Sequence, residues 1–159
     1  MTEPTDTGFR ASLPVLVAVS IASFMVNLDT SIVSIALPTL AGVMNASSSQ
    51  VSRIILFYLL AIVSTLMFFG RLGDRIGKKP VFLGGYILFT TASVLCGLSR
   101  GLSMLVGMRF LQGIGGAMLF ATMSAIIIQN VEERHRGKAF SAIAVFSGIG
   151  VAVGAPLGG

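Results

Sequence analysis

The fold of this chain is decided at residues 70–79, which read GRLGDRIGKK and separate two long apolar runs. The stretch holds four cations in ten residues, whereas only 11% of the whole chain is charged. Lys and Arg beside the end of a membrane helix resist translocation. The stretch therefore predicts a cytoplasmic connection between two membrane-spanning helices.

The composition excludes a soluble domain. Of the 159 residues 54% are hydrophobic, and the mean hydropathy is +0.91, whereas soluble domains carry about 25% charged residues. The single cysteine, Cys96, excludes an intrachain disulfide and is interpreted as a small packing residue. The net charge of +5 lies in connections between apolar runs rather than on one face, so we expect no nucleic-acid partner.

A helix needs about 20 apolar residues to cross the hydrocarbon core of a bilayer. By that criterion the chain is predicted to be all-α, a polytopic transmembrane helix bundle that follows a short cytoplasmic tail at residues 1–11. The predicted bundle occupies 12–159, with spans near 12–38, 53–71, 81–99, 102–128 and a truncated fifth at 139–159.

The lysines and arginines fall mostly on one predicted side of the membrane. Arg53 and Arg100 fall on the other side, and Arg109 lies within a span. The positive-inside rule then predicts a multi-pass protein of the cell membrane with a cytoplasmic amino terminus. The eight cations on the majority side are Arg10, Arg71, Arg75, Lys78, Lys79, Arg134, Arg136 and Lys138.

Asp29 and Arg109 are the ionisable side chains placed deep within predicted spans, where an unpaired charge costs several kcal/mol. At a rise of 1.5 Å per residue, both lie roughly 10 to 14 Å below the outer surface, so they can meet at one depth. Burial favours the neutral form of a carboxyl group and a nearby guanidinium favours the charged form. Two interpretations stay open: proton or cation coupling, and a static ion pair that helps assembly.

Further polar side chains lie near the same depth and predict that the first helix lines a wet cavity. They are Asn27, Thr30, Ser31, Ser34 and Gln112.

Motifs for other chemistries do not fit. A phosphate-binding loop that ends at Gly77 and Lys78 would need Gly at position 72 and Ser or Thr at position 79, where the chain has Leu72 and Lys79. His135 without nearby cysteines offers no metal ligand set. The spans contain no nucleophile with a base and no paired carboxylates, so we expect neither an enzyme nor a cofactor or metal.

Four stretches together resemble the major facilitator superfamily, and within it the fourteen-helix drug:proton antiporter branch. They read LDTSIVSIALP at 28–38, GRLGDRIGKK at 70–79, RFLQGIGGA at 109–117 and GVAVGAPLGG at 150–159. The resemblance implies that the chain is the first four to five helices of the amino-terminal half of such a transporter. The missing carboxyl-terminal half would then be its main protein partner.

The resemblance also implies residue roles. In the first and fourth helices it implies that Asp29, Arg109 and Gln112 handle protons or substrate. In the connection at 70–79 it implies a conformational latch, in which the acid caps a helix of the carboxyl-terminal half and the cations form salt bridges. The matching latch residues are Gly70, Asp74, Arg75, Gly77, Lys78 and Lys79.

The last stretch resembles the antiporter motif of helix 5, which implies a bend between helices. It departs from that motif at one point, because the proline that usually follows the second glycine is displaced by Ala155. Antiport therefore follows less directly than membership of the superfamily. The implied bend residues are Gly150, Gly154, Pro156, Gly158 and Gly159.

The implied function is that of a secondary active exporter, driven by protons and acting on a hydrophobic or cationic small molecule within the lipid bilayer. We expect the 159-residue chain alone not to transport. Two alternatives stay open: a symporter or uniporter of the same superfamily for sugars or organic acids, and a short structural membrane subunit. Proton flux opposite to substrate flux would distinguish an exporter from the first.

Overall fold

A computed structural model describes the backbone of residues 7–159 and the side chains from Ser12 onward. Residues 1–6 of the predicted tail lie outside the described part. The predicted all-α fold is confirmed: no strand occurs within 7–159, and five helices follow one another. They are α1 (Thr7–Val43), α2 (Ser48–Ile76), α3 (Lys78–Gly97), α4 (Leu102–Asn130) and α5 (Glu133–Gly158).

Each of the five helices is long and apolar enough to cross a membrane. They overlap the five predicted spans, and most ends lie beyond them, because polar residues at a membrane surface can continue a helix. The start of α2 shows why: Ser47 forms a capping box with Gln50, whose side-chain oxygen accepts from the Ser47 amide at 2.9 Å. This pattern marks a helix start within the polar segment that the sequence predicted as a loop between the first two spans.

The stretch at residues 70–79 is not the loop that the sequence predicted. α2 continues to Ile76 and α3 begins at Lys78, so Gly77 alone separates them. Gly77 has φ 100° and ψ 149°, a backbone conformation that glycine adopts at little cost. The prediction failed because it used the end of the apolar run as the end of the helix, whereas Arg and Lys are good helix formers.

The helices form two groups. α4 packs along α2 and α3, and α1 packs along α5, whereas contacts between the two groups are sparser. Glycines permit the close approach within the first group: a Cβ added at Gly113 would lie 2.5 Å from the carbonyl oxygen of Tyr58, and one at Gly115 would lie 2.6 Å from the amide nitrogen of Phe89. Small residues serve this purpose in lipid, where burial of apolar surface does not drive helix association.

The α1–α5 contact combines glycines with hydrogen bonds. A Cβ added at Gly150, Gly154 or Gly158 would lie 2.5 to 2.6 Å from atoms of α1. Beside them, the hydroxyls of Ser23 and Ser147 are 2.6 Å apart. The second group of helices is therefore joined as tightly as the first.

Candidate functional site

The two deep charges predicted from the sequence meet between α1 and α4. Arg109 Nη1 donates to Asp29 Oδ2 at 2.6 Å, and Gln112 Nε2 donates to Asp29 Oδ1 at 2.9 Å. Both carboxylate oxygens of α1 are therefore bound by donors of α4. The pair bridges the two helix groups, which contact each other less than the helices within each group do.

The geometry follows from helix periodicity. Arg109 and Gln112 are three positions apart, so they lie on one face of α4, about one turn from each other. Arg109 is 3% exposed and Gln112 is fully buried, whereas the Asp29 side chain keeps 14% of its surface exposed. Asp29 is thus the most exposed of these three side chains.

Two residues that sequence reasoning did not assign to the site complete it. The Tyr58 ring on α2 lies with its centroid 5.6 Å from Arg109 Cζ, within the range of a cation–π contact. Cys96 on α3, predicted only as a packing residue, also donates its thiol to Gln112 Oε1 at 3.8 Å. Neither contact leaves a signal in the sequence, because each depends on how α2 and α3 dock on α4.

Of the hydroxyl and amide side chains expected around Asp29, Gln112 binds it directly and Thr30 lies beside Tyr58. Asn27, Thr30, Ser31 and Ser34 line a groove of about 280 Å³ between α1 and α5. Two of their hydroxyls donate to carbonyls of α1 itself: Thr30 to Val26 at 2.9 Å and Ser34 to Thr30 at 2.8 Å. The polar groove therefore adjoins the charged cluster at Thr30, which lines the groove and contacts Tyr58.

The predicted latch residues separate into two sets. Lys78 Nζ lies 2.5 Å from Asp74 Oδ1 and donates to the Gly70 carbonyl at 3.4 Å, so Lys78 folds back on α2. The Lys78 side chain is 13% exposed and that of Asp74 is 70% exposed. Arg75 and Lys79 are exposed, and Lys79 lies at a different cavity, between α1, α3 and α4.

The predicted bend residues lie at the end of α5. Gly150, Gly154 and Gly158 contact α1, and Pro156 lies inside the helix. Gly159 follows the helix end, where an added Cβ would make only ordinary contacts at 3.7 Å. Within the described residues, no three possible metal ligands cluster.

Comparison with protein families matches residues 19–159 to the model described as the Major Facilitator Superfamily. The chain is also similar to whole transporters. It is 36% identical to the riboflavin transporter RibZ of Clostridioides difficile over 91% of this chain and 32% of that protein. It is 36% identical to the putative multidrug resistance protein MdtD of Yersinia enterocolitica over 96% of this chain and 32% of that protein.

A third relative is an uncharacterized MFS-type transporter of Mycobacterium tuberculosis, 36% identical over 95% of this chain and 26% of that protein. The chain thus spans about a third or less of the length of these curated relatives.

Proposed function

The chain belongs to the Major Facilitator Superfamily, and from this premise we propose that it forms the amino-terminal part of a proton-coupled exporter of small molecules. It is a multi-pass membrane protein with five membrane-length helices. We place it in the cell membrane with a cytoplasmic amino terminus, because the cations cluster at one end of the helices. The missing carboxyl-terminal half is its proposed partner.

The observation that carries the proposal is the binding of both Asp29 oxygens by Arg109 and Gln112. Protonation would remove the negative charge that holds these donors. It would leave the buried Arg109 charge facing only neutral groups such as the Tyr58 ring. Because an unpaired buried charge is unfavourable, binding of a proton to Asp29 would favour an arrangement in which α1 has moved relative to α4.

The distribution of burial supports coupling over a static pair. Arg109 is enclosed by helices, but Asp29 keeps part of its side chain exposed, so a proton can reach it. A cationic substrate bound nearby would disfavour protonation of Asp29 by its charge, and this opposition between substrate and proton is what antiport requires. A hydrophobic or cationic small molecule fits that chemistry, and one relative is named as a putative multidrug resistance protein.

The latch and the bend complete the proposal. The Asp74 carboxylate, paired with Lys78 yet mostly exposed, remains open to a helix amino terminus of the carboxyl-terminal half. The glycines of α5 leave its backbone in direct contact with α1, and Pro156 removes one backbone donor near the helix end. We assign these residues to the rocking of one half of the transporter against the other.

The test uses Asp29→Asn in the transporter that contains this chain, reconstituted in liposomes. Tetraphenylphosphonium and riboflavin serve as probes, the second because a relative is named as its transporter. We expect the variant to lose export driven by a pH gradient and to keep probe exchange, which needs no net proton movement. Glu132→Gln, an exposed acid paired with Arg134, is the matched control. Gradient-driven export that survives Asp29→Asn would refute the proposal.

A further inference from the structure

The adjacent lysines at the start of α3 diverge. Lys78 folds back onto Asp74, whereas Lys79 lines a cavity of about 330 Å³ between α1, α3 and α4. Lys79 makes no ion pair with a side chain of residues 12–159. The charged stretch thus places one cation at a site that the latch does not use.

The cavity changes from polar to apolar with depth. Lys79 lies near the start of α3, and Gln129 and Asn130 lie at the end of α4, so all three are at the same end of the bundle. One turn deeper into the bundle, α3 and α4 present the apolar residues Leu83 and Ile126, and Phe82 is also apolar. Val15 and Val19 of α1 close the third side.

The charge at this end of the bundle selects an anion. Seven cationic and three acidic side chains of the described residues lie at the ends of α2 to α5 here, a net charge of +4. No acid among the described residues lines the cavity itself. A volume of this size is within the range of ligand pockets, and basic pockets between membrane helices bind anionic lipid headgroups.

We propose that this cavity binds an anionic phospholipid from the adjacent leaflet. The phosphate contacts Lys79 and the amides of Gln129 and Asn130. The part of an acyl chain nearest the headgroup lies against Phe82, Leu83 and Val19. The site is independent of Asp29 and of the proposed direction of transport.

The sequence contains no tryptophan, so a single introduced one gives an unambiguous fluorescence signal. The reporter is Leu83→Trp in the cavity, and the control reporter is Val94→Trp on the same helix near its other end. The full 159-residue chain is placed in vesicles of phosphatidylcholine mixed with phosphatidylglycerol. One of the two lipids carries brominated chains that quench the fluorescence on contact.

We expect brominated phosphatidylglycerol to bind about fivefold more tightly than phosphatidylcholine at the cavity reporter, since one lysine near the surface contributes about 1 kcal/mol. The control reporter shows no preference. Lys79→Gln abolishes the preference at the cavity reporter, whereas Lys79→Arg keeps it. Arg100→Gln, which removes a cation at the opposite end, also leaves it unchanged.

Three outcomes would overturn the proposal. The first is equal quenching by both lipids at the cavity reporter. The second is a preference that survives Lys79→Gln. The third is displacement of the brominated lipid by inorganic phosphate, which would identify the ligand as the free anion rather than a lipid headgroup.

Discussion

Asp29 and Arg109 lie 80 positions apart in the chain and meet through a hydrogen bond of 2.6 Å inside a bundle of membrane-length helices. The bond joins the α1–α5 pair to the group formed by α2, α3 and α4, and the two groups otherwise contact each other sparsely. A change in the charge of Asp29 therefore acts on the boundary between two helix groups.

Removal of the guanidinium should destabilise the bundle through the charge left behind. We predict that Arg109→Leu lowers the free energy of unfolding by about 3 kcal/mol, because the Asp29 carboxylate keeps only Gln112 as a partner. The double variant Asp29→Asn with Arg109→Leu should recover part of this loss, since no unpaired charge remains. Denaturant titration in micelles measures both, and a double variant as unstable as the sum of the single variants would contradict the coupling.

The aromatic face of Tyr58 should stabilise Arg109 independently of the Tyr58 hydroxyl. We predict that Tyr58→Phe is close to neutral in unfolding free energy and that Tyr58→Leu costs about 1 kcal/mol more, because leucine offers no π-face to the cation. The comparison is repeated in an Arg109→Leu background, which separates the cation–π contact from packing. The difference between the two variants should vanish there, and its persistence would assign the effect to packing.

The glycines of α5 should differ sharply according to the face they occupy. We predict that Gly150→Ala destabilises the bundle by about 1 to 3 kcal/mol, because the added Cβ would lie 2.6 Å from the Phe24 carbonyl oxygen. Gly148→Ala, two residues away with no atom within 4 Å of the added Cβ, should be neutral or stabilising by up to about 1 kcal/mol. Thermal unfolding in micelles distinguishes them, and equal shifts for both would show that α5 does not pack on α1 as described.

The break between α2 and α3 should depend on the backbone of Gly77. At φ 100° an alanine is strained, so we predict that Gly77→Ala costs about 1 to 2 kcal/mol. Gly70→Ala is the matched control, since Gly70 lies within α2 and its added Cβ meets no atom within 4 Å. If Gly77→Ala unfolds at the same temperature as Gly70→Ala, α2 and α3 are joined differently.

Much of the fold could be predicted because length and hydropathy distinguish membrane helices. Five spans, and the equal depth of Asp29 and Arg109, follow from counting residues along straight helices. The end of α2 could not be found this way, since Arg71, Asp74 and Arg75 continue the helix after the apolar run ends. Hydropathy reports where lipid contact stops and not where backbone hydrogen bonding stops.

Partners between helices were beyond the sequence for a different reason. The contact of Tyr58 with Arg109, and that of Cys96 with Gln112, depends on which helix docks beside α4 and in what rotation. The same holds for the two lysines that begin α3, which are neighbours in sequence and occupy different sites. A single sequence shows which residues share a helix face, but it does not show which face of which other helix packs against them.

We propose that Asp29 exchanges its proton for the exported molecule, and proton release on binding measures this exchange. Tetraphenylphosphonium is added to the transporter that contains this chain, in weakly buffered micelles with a pH indicator, across a series of starting pH values. We expect the unmodified transporter to release protons over part of this series, and Asp29→Asn to bind the same probe and release none. Equal proton release by both would contradict it.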